Sequence, residues 1–282
     1  MSETPRDQPV VVIESKLSWG FVDFSELNHY RDLLYFMVWR SIKVAYAQSV
    51  GGLAWALVQP AIQILVFTVI FGNLVDIGSD GLPYLLFSTV AVIPWSYMSG
   101  TMSAASGSLI GNSAMLGKIY FPRIIYPLTP IIAGLINFSI SLILIVGVMI
   151  YYQVAPTKNM LLLPLLFIMM MMVPLAFGLW LSSMAIRYRD VGIVMGYFMR
   201  MLMYTAPILY PSSSISAEMR WWYVLNPIVG VIEGFRSALL GASPGMFIRW
   251  DSLICSFVVS LLLCITGAIY FRRMERIVVD VI

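Results

Sequence analysis

Charged residues are scarce in this chain. Asp, Glu, Lys and Arg make up only 11% of its 282 residues, whereas 60% are hydrophobic and the mean hydropathy is +0.88. Soluble domains contain about 25% charged residues, so the composition excludes both an ordinary soluble domain and a disordered chain. A net charge of +3 is also too small for a protein that binds nucleic acid through a basic face. The composition indicates a polytopic membrane protein.

Residue types that carry chemistry are scarce as well. His29 is the only histidine, which leaves no histidine metal cluster or His-based catalytic triad. Cys255 and Cys264 lie on opposite faces of one predicted helix and cannot pair within it. The nearest approach to a phosphate-binding Walker loop, residues 111–119, has one residue too many and ends in Ile119 instead of Ser or Thr. We therefore expect no metal, nucleotide or other cofactor on this chain.

Long stretches without charge predict the fold class. A helix needs about 20 apolar residues to cross a membrane. Five stretches meet this requirement without any charge, and a sixth contains only Arg200. The sequence predicts an all-α polytopic membrane protein with six transmembrane helices, at about 51–74, 84–108, 125–151, 160–185, 191–211 and 251–271.

The distribution of basic residues predicts the orientation. Twelve of the seventeen Lys and Arg residues lie on the side of the membrane that the two termini share. Because basic loops stay in the cytoplasm, both termini are expected there. Residues 1–30 form the expected cytoplasmic N-terminal segment and lack the apolar core of a cleaved leader. Residues 31–273 form the membrane domain, and residues 274–282 a cytoplasmic tail.

The segment before the first span has an amphipathic pattern. Leu27, Leu34 and Val38 can share one side of a helix over about 27–43, while Arg31 and Lys43 reach water. This pattern is typical of a helix that lies at the cytoplasmic membrane interface. The alternative is a simple soluble lead-in to the first span.

The region between the last two spans, residues 212–249, is apolar but carries several charges. Asn226 and Pro227 predict a helix start that runs to about Leu240, and its length of about 22 Å is too short to cross. Glu233 and Arg236 are spaced to meet on one helix face. We expect two short re-entrant helices, with residues 221–223 at the membrane interface. The alternative is an amphipathic helix that rests on the outer surface.

Arg200 lies near the middle of the fifth predicted span. An uncompensated arginine there costs at least about 2.5 kcal/mol. Tyr197 and Tyr204 share its helix face, which is suited to a water-filled or substrate-lined passage. Two alternatives are a carboxylate partner elsewhere in the chain and a side chain that extends to the membrane interface.

Three further patterns concern energy and assembly. The first four spans and the last contain no carboxylate, so an ion relay is disfavoured and energy must come from another subunit. The inner loop 111–123 is helix-like and can press on a cytoplasmic partner. Three Gly-x-x-x-Gly motifs permit close helix packing and weakly support a dimer. They begin at Gly107, Gly192 and Gly230.

Six groups of residues, in this order along the chain, match one known family. They are 34–43 with 52–60, 94–95, 112–113 with 118–122, 187–190, 206–211, and 225–227 with Arg236. Together they resemble the permease subunits of type 2 ABC exporters, with the greatest likeness to those that export O-antigen, capsule or teichoic acid. The resemblance covers about residues 33–273.

The resemblance implies a non-enzymatic permease in the bacterial inner membrane. Its partners would be a second copy of itself and two cytoplasmic ATPase subunits, and those subunits would bind ATP and Mg. The substrate would be a lipid-linked polysaccharide, such as O-antigen. No nucleic acid is implied, and the chain would contact membrane lipid.

The resemblance also implies four groups of site residues. The coupling segment that sits on the ATPase would contain Ser113, Leu116, Lys118, Tyr120 and Phe121. The passage, lined by spans one and five of each copy, would contain Trp55, Phe67, Phe71, Tyr197, Arg200 and Tyr204. The cytoplasmic gate would contain Arg40 and Lys43, where an anionic diphosphate can pair with basic groups. The outer gate would contain Asn226, Pro227, Glu233 and Arg236.

Three other functions are compatible with a polytopic membrane protein. A drug or lipid exporter of the same permease class would have a narrower passage. A membrane-embedded glycosyl- or acyltransferase would need a catalytic acid or histidine cluster, which the sequence does not offer. An ion-coupled transporter is disfavoured because the spans lack carboxylates.

Overall fold

A computed structural model describes residues 24–47, 49–113, 121–188, 190–216, 218–241 and 248–281, with the backbone alone at 24–26 and 276–281. Within these ranges the regular structure is entirely helical. The expected all-α class is therefore confirmed for the part of the chain that is described.

The described residues of the N-terminal half form five α-helices. They are α1 (Phe24–His29), α2 (Arg31–Tyr46), α3 (Trp55–Phe67), α4 (Tyr84–Ser106) and α5 (Ser108–Gly111). A 3₁₀ turn at Gly52–Ala54 precedes α3, and a π-helix at Thr68–Leu74 continues it. Gly72 allows this π-helix to approach α4, because a Cβ at that position would lie 2.9 Å from Cβ of Tyr84.

The C-terminal half continues the helical bundle. Its α-helices are α6 (Ile125–Tyr151), α7 (Leu163–Arg187), α8 (Val191–Thr205), α9 (Arg220–Val224), α10 (Pro227–Leu239) and α11 (Trp250–Val281). Short 3₁₀ turns at Lys158–Leu162 and Ser212–Ser214 lie before α7 and α9.

Four helical segments of the described chain are long and apolar enough to cross a membrane. They are Gly52–Leu74, Ile125–Tyr151, Lys158–Arg187 and Trp250–Glu275. Each of the other two predicted spans meets only one of the two requirements, which are sufficient length and apolar character. Helix α4 has 23 residues but many hydroxyl side chains, whereas α8 is apolar but has only 15 residues. The protein is thus a polytopic membrane protein with at least four candidate spans.

Helix α4 forms the centre of the bundle, and this position accounts for its many polar side chains. It contacts α3, α6, α7, α8 and α10, and most of its side chains are buried. Its threonine hydroxyls bond to its own backbone: Thr89 donates to the carbonyl of Leu85 at 2.6 Å, and Thr101 to that of Tyr97 at 2.7 Å. Because protein surrounds α4, its surface does not need the apolar character of a helix that faces lipid.

Three predicted boundaries differ from the structure. The fifth segment, expected over 191–211, ends as a helix at Thr205, since Pro207 and Pro211 disfavour its continuation. The last helix does not end near residue 271 but continues to Val281, with no glycine or proline after Gly267. The expected interface helix is divided at Tyr30 into α1 and α2.

Helices α3 and α8 leave large apolar surfaces uncovered. In an apolar 18-residue window of the span Gly52–Leu74, 11% of the residues are buried, compared with 22–33% in the windows of the other three candidate spans. On α8, Ile193, Tyr197 and Met201 are each at least 60% exposed. Large apolar surfaces of this kind are suited to lipid or to another protein chain.

Candidate functional site

The most enclosed element outside the long helices is α10. Every residue from Pro227 to Leu239 is buried. The side-chain oxygen of Asn226 accepts a hydrogen bond from the backbone N–H of Ile228 at 3.1 Å, and Pro227 occupies the first helical turn. The predicted helix start and its end near Leu240 are therefore confirmed. Protein covers every face of this helix, and its re-entry into the membrane stays a prediction.

Glycines allow α10 to pack closely on its neighbours. A Cβ at Gly230 would overlap the carbonyl oxygen of Ser252 and Oγ of Ser256 in α11. A Cβ at Gly234 would overlap Leu166 in α7. This Gly-x-x-x-Gly motif thus serves contacts within one chain. In contrast, no atom of the described residues lies within 4 Å of the Cβ positions of Gly192 and Gly196.

The two charged residues of α10 do not pair with each other. Oε1 of Glu233 lies 3.7 Å from Nη1 of Arg249, which is the ion-pair partner that the structure provides. The guanidinium carbon of Arg236 instead lies 3.5 Å from the ring centre of Phe87 in α4. Nη2 of Arg236 also donates to the carbonyl oxygen of Ile208 at 3.4 Å. The spacing of Glu233 and Arg236 permitted a pair, but tertiary packing gives each a different partner.

Burial sets the electrostatics of this cluster. Desolvation lowers the pKa of Arg236 to about 10, opposed by the nearby Tyr223, Glu233 and Tyr84. The guanidinium therefore remains charged at neutral pH. Desolvation also raises the pKa of Tyr223, which stays a neutral phenol. The site thus contains a buried cation near an aromatic ring, a neutral phenol and the carboxylate of Glu233.

A cavity of about 670 Å³ opens beside these residues. We call it the outer cavity, because the first predicted outer loop, residues 212–220 and the start of α11 form its walls. Its charged lining residues are Asp80, Arg220, Glu233, Arg236, Arg249 and Asp251. Among them, only Glu233 and Arg236 were predicted site residues. The other four lie in three separate segments, and the only sequence signal was the unusual charge content of residues 212–249.

Side-chain contacts join the segments around the outer cavity. Oγ of Ser213 donates to Oδ1 of Asp80 at 2.6 Å. Asp80 has a φ of 52° and precedes Gly81, whose φ is 80°, so a tight left-handed turn presents its carboxylate. Arg249 donates from Nη1 to Oγ of Ser212 at 3.2 Å and lies 3.8 Å from Asp251.

The predicted face of α8 is present in the structure. Arg200 is exposed, and Tyr197 and Tyr204 are 60% and 56% exposed beside it. The guanidinium carbon of Arg200 lies 5.2 Å from the ring centre of Tyr197, within cation–π range. No carboxylate of the described residues lies within ion-pair distance of Arg200. The role of this face in a passage stays a prediction.

The predicted pathway residues of the first span fall into two groups. Trp55 is 53% exposed at the start of α3. Phe67 and Phe71 instead pack edge to face at 5.8 Å between ring centres and against the buried core. The three aromatic side chains therefore do not form one exposed surface.

The predicted coupling segment is described at its two ends. Ser113 is exposed, whereas Leu116, Lys118 and Tyr120 lie outside the described residues. Phe121 is buried, with its ring centre 5.3 Å from that of Tyr126. Phe121 therefore anchors the end of this loop to the bundle.

A polar contact joins the same loop to the last helix. Nη1 of Arg123 donates to the carbonyl oxygen of Glu275 at 2.6 Å. The backbone N–H of Arg123 also lies 3.4 Å from the Glu275 carboxylate. The end of the loop is thus fixed both by Phe121 and by α11.

The two predicted residues of the cytoplasmic gate lie on α2. Arg40 lines a cavity of about 360 Å³, which also has Tyr126 and Asn112 in its lining. Lys43 is exposed in the last turn of α2. The outward face of α2 exposes the aromatic residues Tyr35, Phe36 and Trp39.

Comparison with known proteins gives a consistent result. The profile of the ABC-2 type transporter family matches residues 32–240. The O-antigen export system permease protein RfbA of Myxococcus xanthus is 26% identical over 75% of this chain and 82% of the relative. The polysialic acid transport protein KpsM of Escherichia coli is 23% identical over 84% of this chain and 91% of the relative. The inner membrane transport permease YadH of Escherichia coli K12 is 22% identical over 80% and 93%.

Proposed function

Because this chain belongs to the ABC-2 type transporter family, we propose that it is the membrane-spanning permease of an ATP-driven polysaccharide exporter. Its substrate is a lipid-linked glycan of the O-antigen type, carried across the bacterial inner membrane. The observation that carries the proposal is the match along most of the chain to relatives named for O-antigen export and polysialic acid transport.

The proposed topology has six spans with both termini in the cytoplasm. Helices α4 and α8 supply the two spans beyond the four long apolar helices. Protein encloses α4, so it does not need an apolar surface, and the chain from Ala206 to Leu209 continues buried after α8. Helix α10 re-enters the membrane from the outer side. Its 13 residues span about 20 Å, which is too short to cross.

The proposed assembly contains two copies of the chain. The exposed faces of α3 and α8 support this assembly, since both helices pack on α4 and leave their outer surfaces uncovered. The passage would run between the copies, with Trp55, Tyr197, Arg200 and Tyr204 facing it. The open Cβ positions of Gly192 and Gly196 leave room for a close contact with the second copy.

Two cytoplasmic ATPase subunits would supply the energy, because ATP and Mg bind to them and this chain is not an enzyme. Their contact would be the loop that runs from Ser113 to Phe121. Burial of Phe121 and the contact between Arg123 and Glu275 tie the end of this loop to the bundle and to α11. A push on the loop would therefore reach the long helices directly.

The proposed gates lie at opposite ends of the passage. At the cytoplasmic side, α2 would lie along the membrane with its exposed aromatic face, while Arg40 and Lys43 attract the diphosphate of the lipid carrier. At the outer side, α10 would form the gate, with Asn226 and Pro227 fixing its start and Glu233 and Arg236 holding it in place.

The test is export by the purified permease together with its partner ATPase in proteoliposomes. Lipid-linked glycan on the ATPase side should reach the other side only with ATP, and permease without ATPase should move none. In cells, deletion should remove the glycan from the surface and leave it inside. Normal surface glycan after deletion, or no export by the complete complex, would contradict the proposal. Loss of drug or lipid export in place of glycan export would favour the other exporter class.

A further inference from the structure

The outer cavity has balanced charge and many hydroxyl groups. Three arginines and three carboxylates line it, so it has no net charge that would attract an anion or a cation. Ser212, Ser213 and Ser237 add hydroxyl groups, and Trp250 adds an indole that is 53% exposed. A volume of about 670 Å³ falls within the range of ligand pockets.

Polar groups deep in this cavity have unused hydrogen-bonding capacity. Glu233 is 9% exposed, and neither of its carboxylate oxygens has a hydrogen-bond partner among the described residues. Arg236 is 4% exposed, and its Nε is likewise unbonded. Buried polar groups are almost always hydrogen-bonded. Each of these atoms has less than 1 Å² of accessible surface, so a hydroxyl group in the cavity reaches it once the side chain turns toward the cavity. The 3.7 Å separation of Glu233 and Arg249 leaves both side chains able to bond to such a ligand.

We propose that the outer cavity binds one or two pyranose rings of the exported glycan. This inference rests on the proposed function and names a second contact site for its substrate, within one copy of the chain. Sugar hydroxyls both donate and accept hydrogen bonds, as the mixed carboxylates, guanidinium groups and serines of the cavity require. The indole of Trp250 provides an apolar surface for the face of a sugar ring.

Other ligand classes fit the outer cavity less well. A phosphate or diphosphate would meet the carboxylates of Asp80, Glu233 and Asp251 as well as the arginines. A metal ion is disfavoured, since no three His, Cys, Asp or Glu residues of the described chain form a cluster that could hold one. An acyl chain would leave the carboxylate oxygens of Glu233 and Nε of Arg236 without hydrogen-bond partners.

Labelling of an introduced cysteine tests the proposal. The full-length permease, in complex with its ATPase in proteoliposomes, would carry Cys255→Ser and Cys264→Ala, which remove its native thiols. Ser213→Cys places a thiol in the cavity lining, and Ser216→Cys places one in the same outer segment but outside the lining. A membrane-impermeant maleimide is applied to the outer face, with and without glucose, galactose, mannose, N-acetylglucosamine or the delipidated glycan of the source cells.

We expect at least one of these sugars to slow labelling of S213C several-fold in a saturable way and to leave S216C unchanged. Adding Asp251→Asn or Glu233→Gln to S213C should weaken this protection. Ile248→Cys, which also lies in the cavity lining, provides a second reporter if S213C does not fold. Unprotected labelling at both reporters, equal slowing of S216C, or labelling of the cavity only after permeabilisation would overturn the proposal.

The two proposals can fail separately. If the cavity reporters show no protection while the same complex exports glycan in an ATP-dependent way, only the cavity assignment is wrong. If sugars protect the cavity but the complex exports no glycan, the proposed function is wrong. If water alone fills the cavity, the sugars will not protect the cavity reporters and export will continue.

Discussion

The guanidinium carbon of Arg236 lies 3.5 Å from the ring centre of Phe87. Arg236 is 4% exposed and Phe87 is fully buried, so this contact occurs out of water. A buried arginine without compensation would be costly, and the ring supplies part of the stabilisation that a carboxylate would otherwise provide. The contact also joins α10 to the central helix α4. It therefore fixes the position of the proposed outer gate.

Phe87→Leu should destabilise the protein more than the loss of apolar area alone predicts. Leucine keeps the site apolar but removes the ring, and a desolvated cation–π contact contributes about 2 kcal/mol. We expect a clear fall in the thermal midpoint of the purified protein in detergent. Phe138→Leu is the matched control, because Phe138 is also buried, at 4% exposed, and no arginine of the described residues lies over its ring. Equal midpoints for the two variants would show that the ring does not stabilise Arg236.

Neutralising Arg249 should destabilise the protein more than neutralising its ion-pair partner Glu233. Arg249→Gln leaves the buried carboxylate of Glu233 without a cation, and breaking a buried pair in this way costs about 3 kcal/mol. Glu233→Gln should cost less, since Arg249 retains Asp251 at 3.8 Å and the hydroxyl of Ser212 at 3.2 Å. Thermal denaturation of both variants provides the measurement.

Asp251→Asn is the control for this pair. Its side chain is 63% exposed, so its contact with Arg249 should contribute less than about 1 kcal/mol. The double variant E233Q/R249Q should recover part of the loss of R249Q, because it removes the unpaired charge. A larger loss in E233Q than in R249Q would contradict the assignment of Arg249 as the partner of Glu233.

Local sequence signals predicted a large part of the fold. The uncharged stretch before Tyr151 gave the bounds of α6, and Asn226 with Pro227 gave the start of α10. These features depend on residues that are neighbours in the chain. The polarity of α4 could not be explained in the same way, because it reflects enclosure by five other helices.

The candidate site was less predictable than the fold for the same reason. The spacing of Glu233 and Arg236 correctly placed two charges on α10, but their partners come from other elements. Arg249 lies at the start of α11, and Phe87 lies in α4. No spacing rule within a helix can identify such partners. The charge content of residues 212–249 was the one signal that pointed to this region.

Gly230→Ala should strongly weaken the packing of α10 on α11. The added Cβ would overlap the Ser252 carbonyl oxygen, which belongs to the backbone and cannot rotate away. We expect overpacking to cost about 2 kcal/mol and to lower the thermal midpoint. Gly147→Ala provides the control, since its Cβ position is open and alanine favours helix. Similar falls in the thermal midpoint for both variants would show that the contact between Gly230 and Ser252 does not limit the packing of α10.

Arg200→Gln should reduce glycan export several-fold without reducing the amount of folded permease in the membrane. Arg200 is exposed on α8, has no carboxylate partner among the described residues, and stacks on Tyr197. If this face lines the passage, the charge interacts with the moving substrate and its loss slows transport. Export by the complex with its ATPase in proteoliposomes provides the measurement. Arg200→Lys should retain part of the activity, because it keeps the charge but loses the planar stacking on Tyr197.

Met201→Leu is the matched control for Arg200, since Met201 is the next residue on α8 and is 63% exposed. It preserves an apolar side chain of similar volume and should leave export unchanged. If Arg200 only extends to the membrane interface, R200Q removes an insertion cost and export remains normal. Normal export by R200Q would therefore exclude Arg200 from the passage. Loss of export in R200Q and M201L alike would indicate that the face of α8 serves contact between copies of the chain.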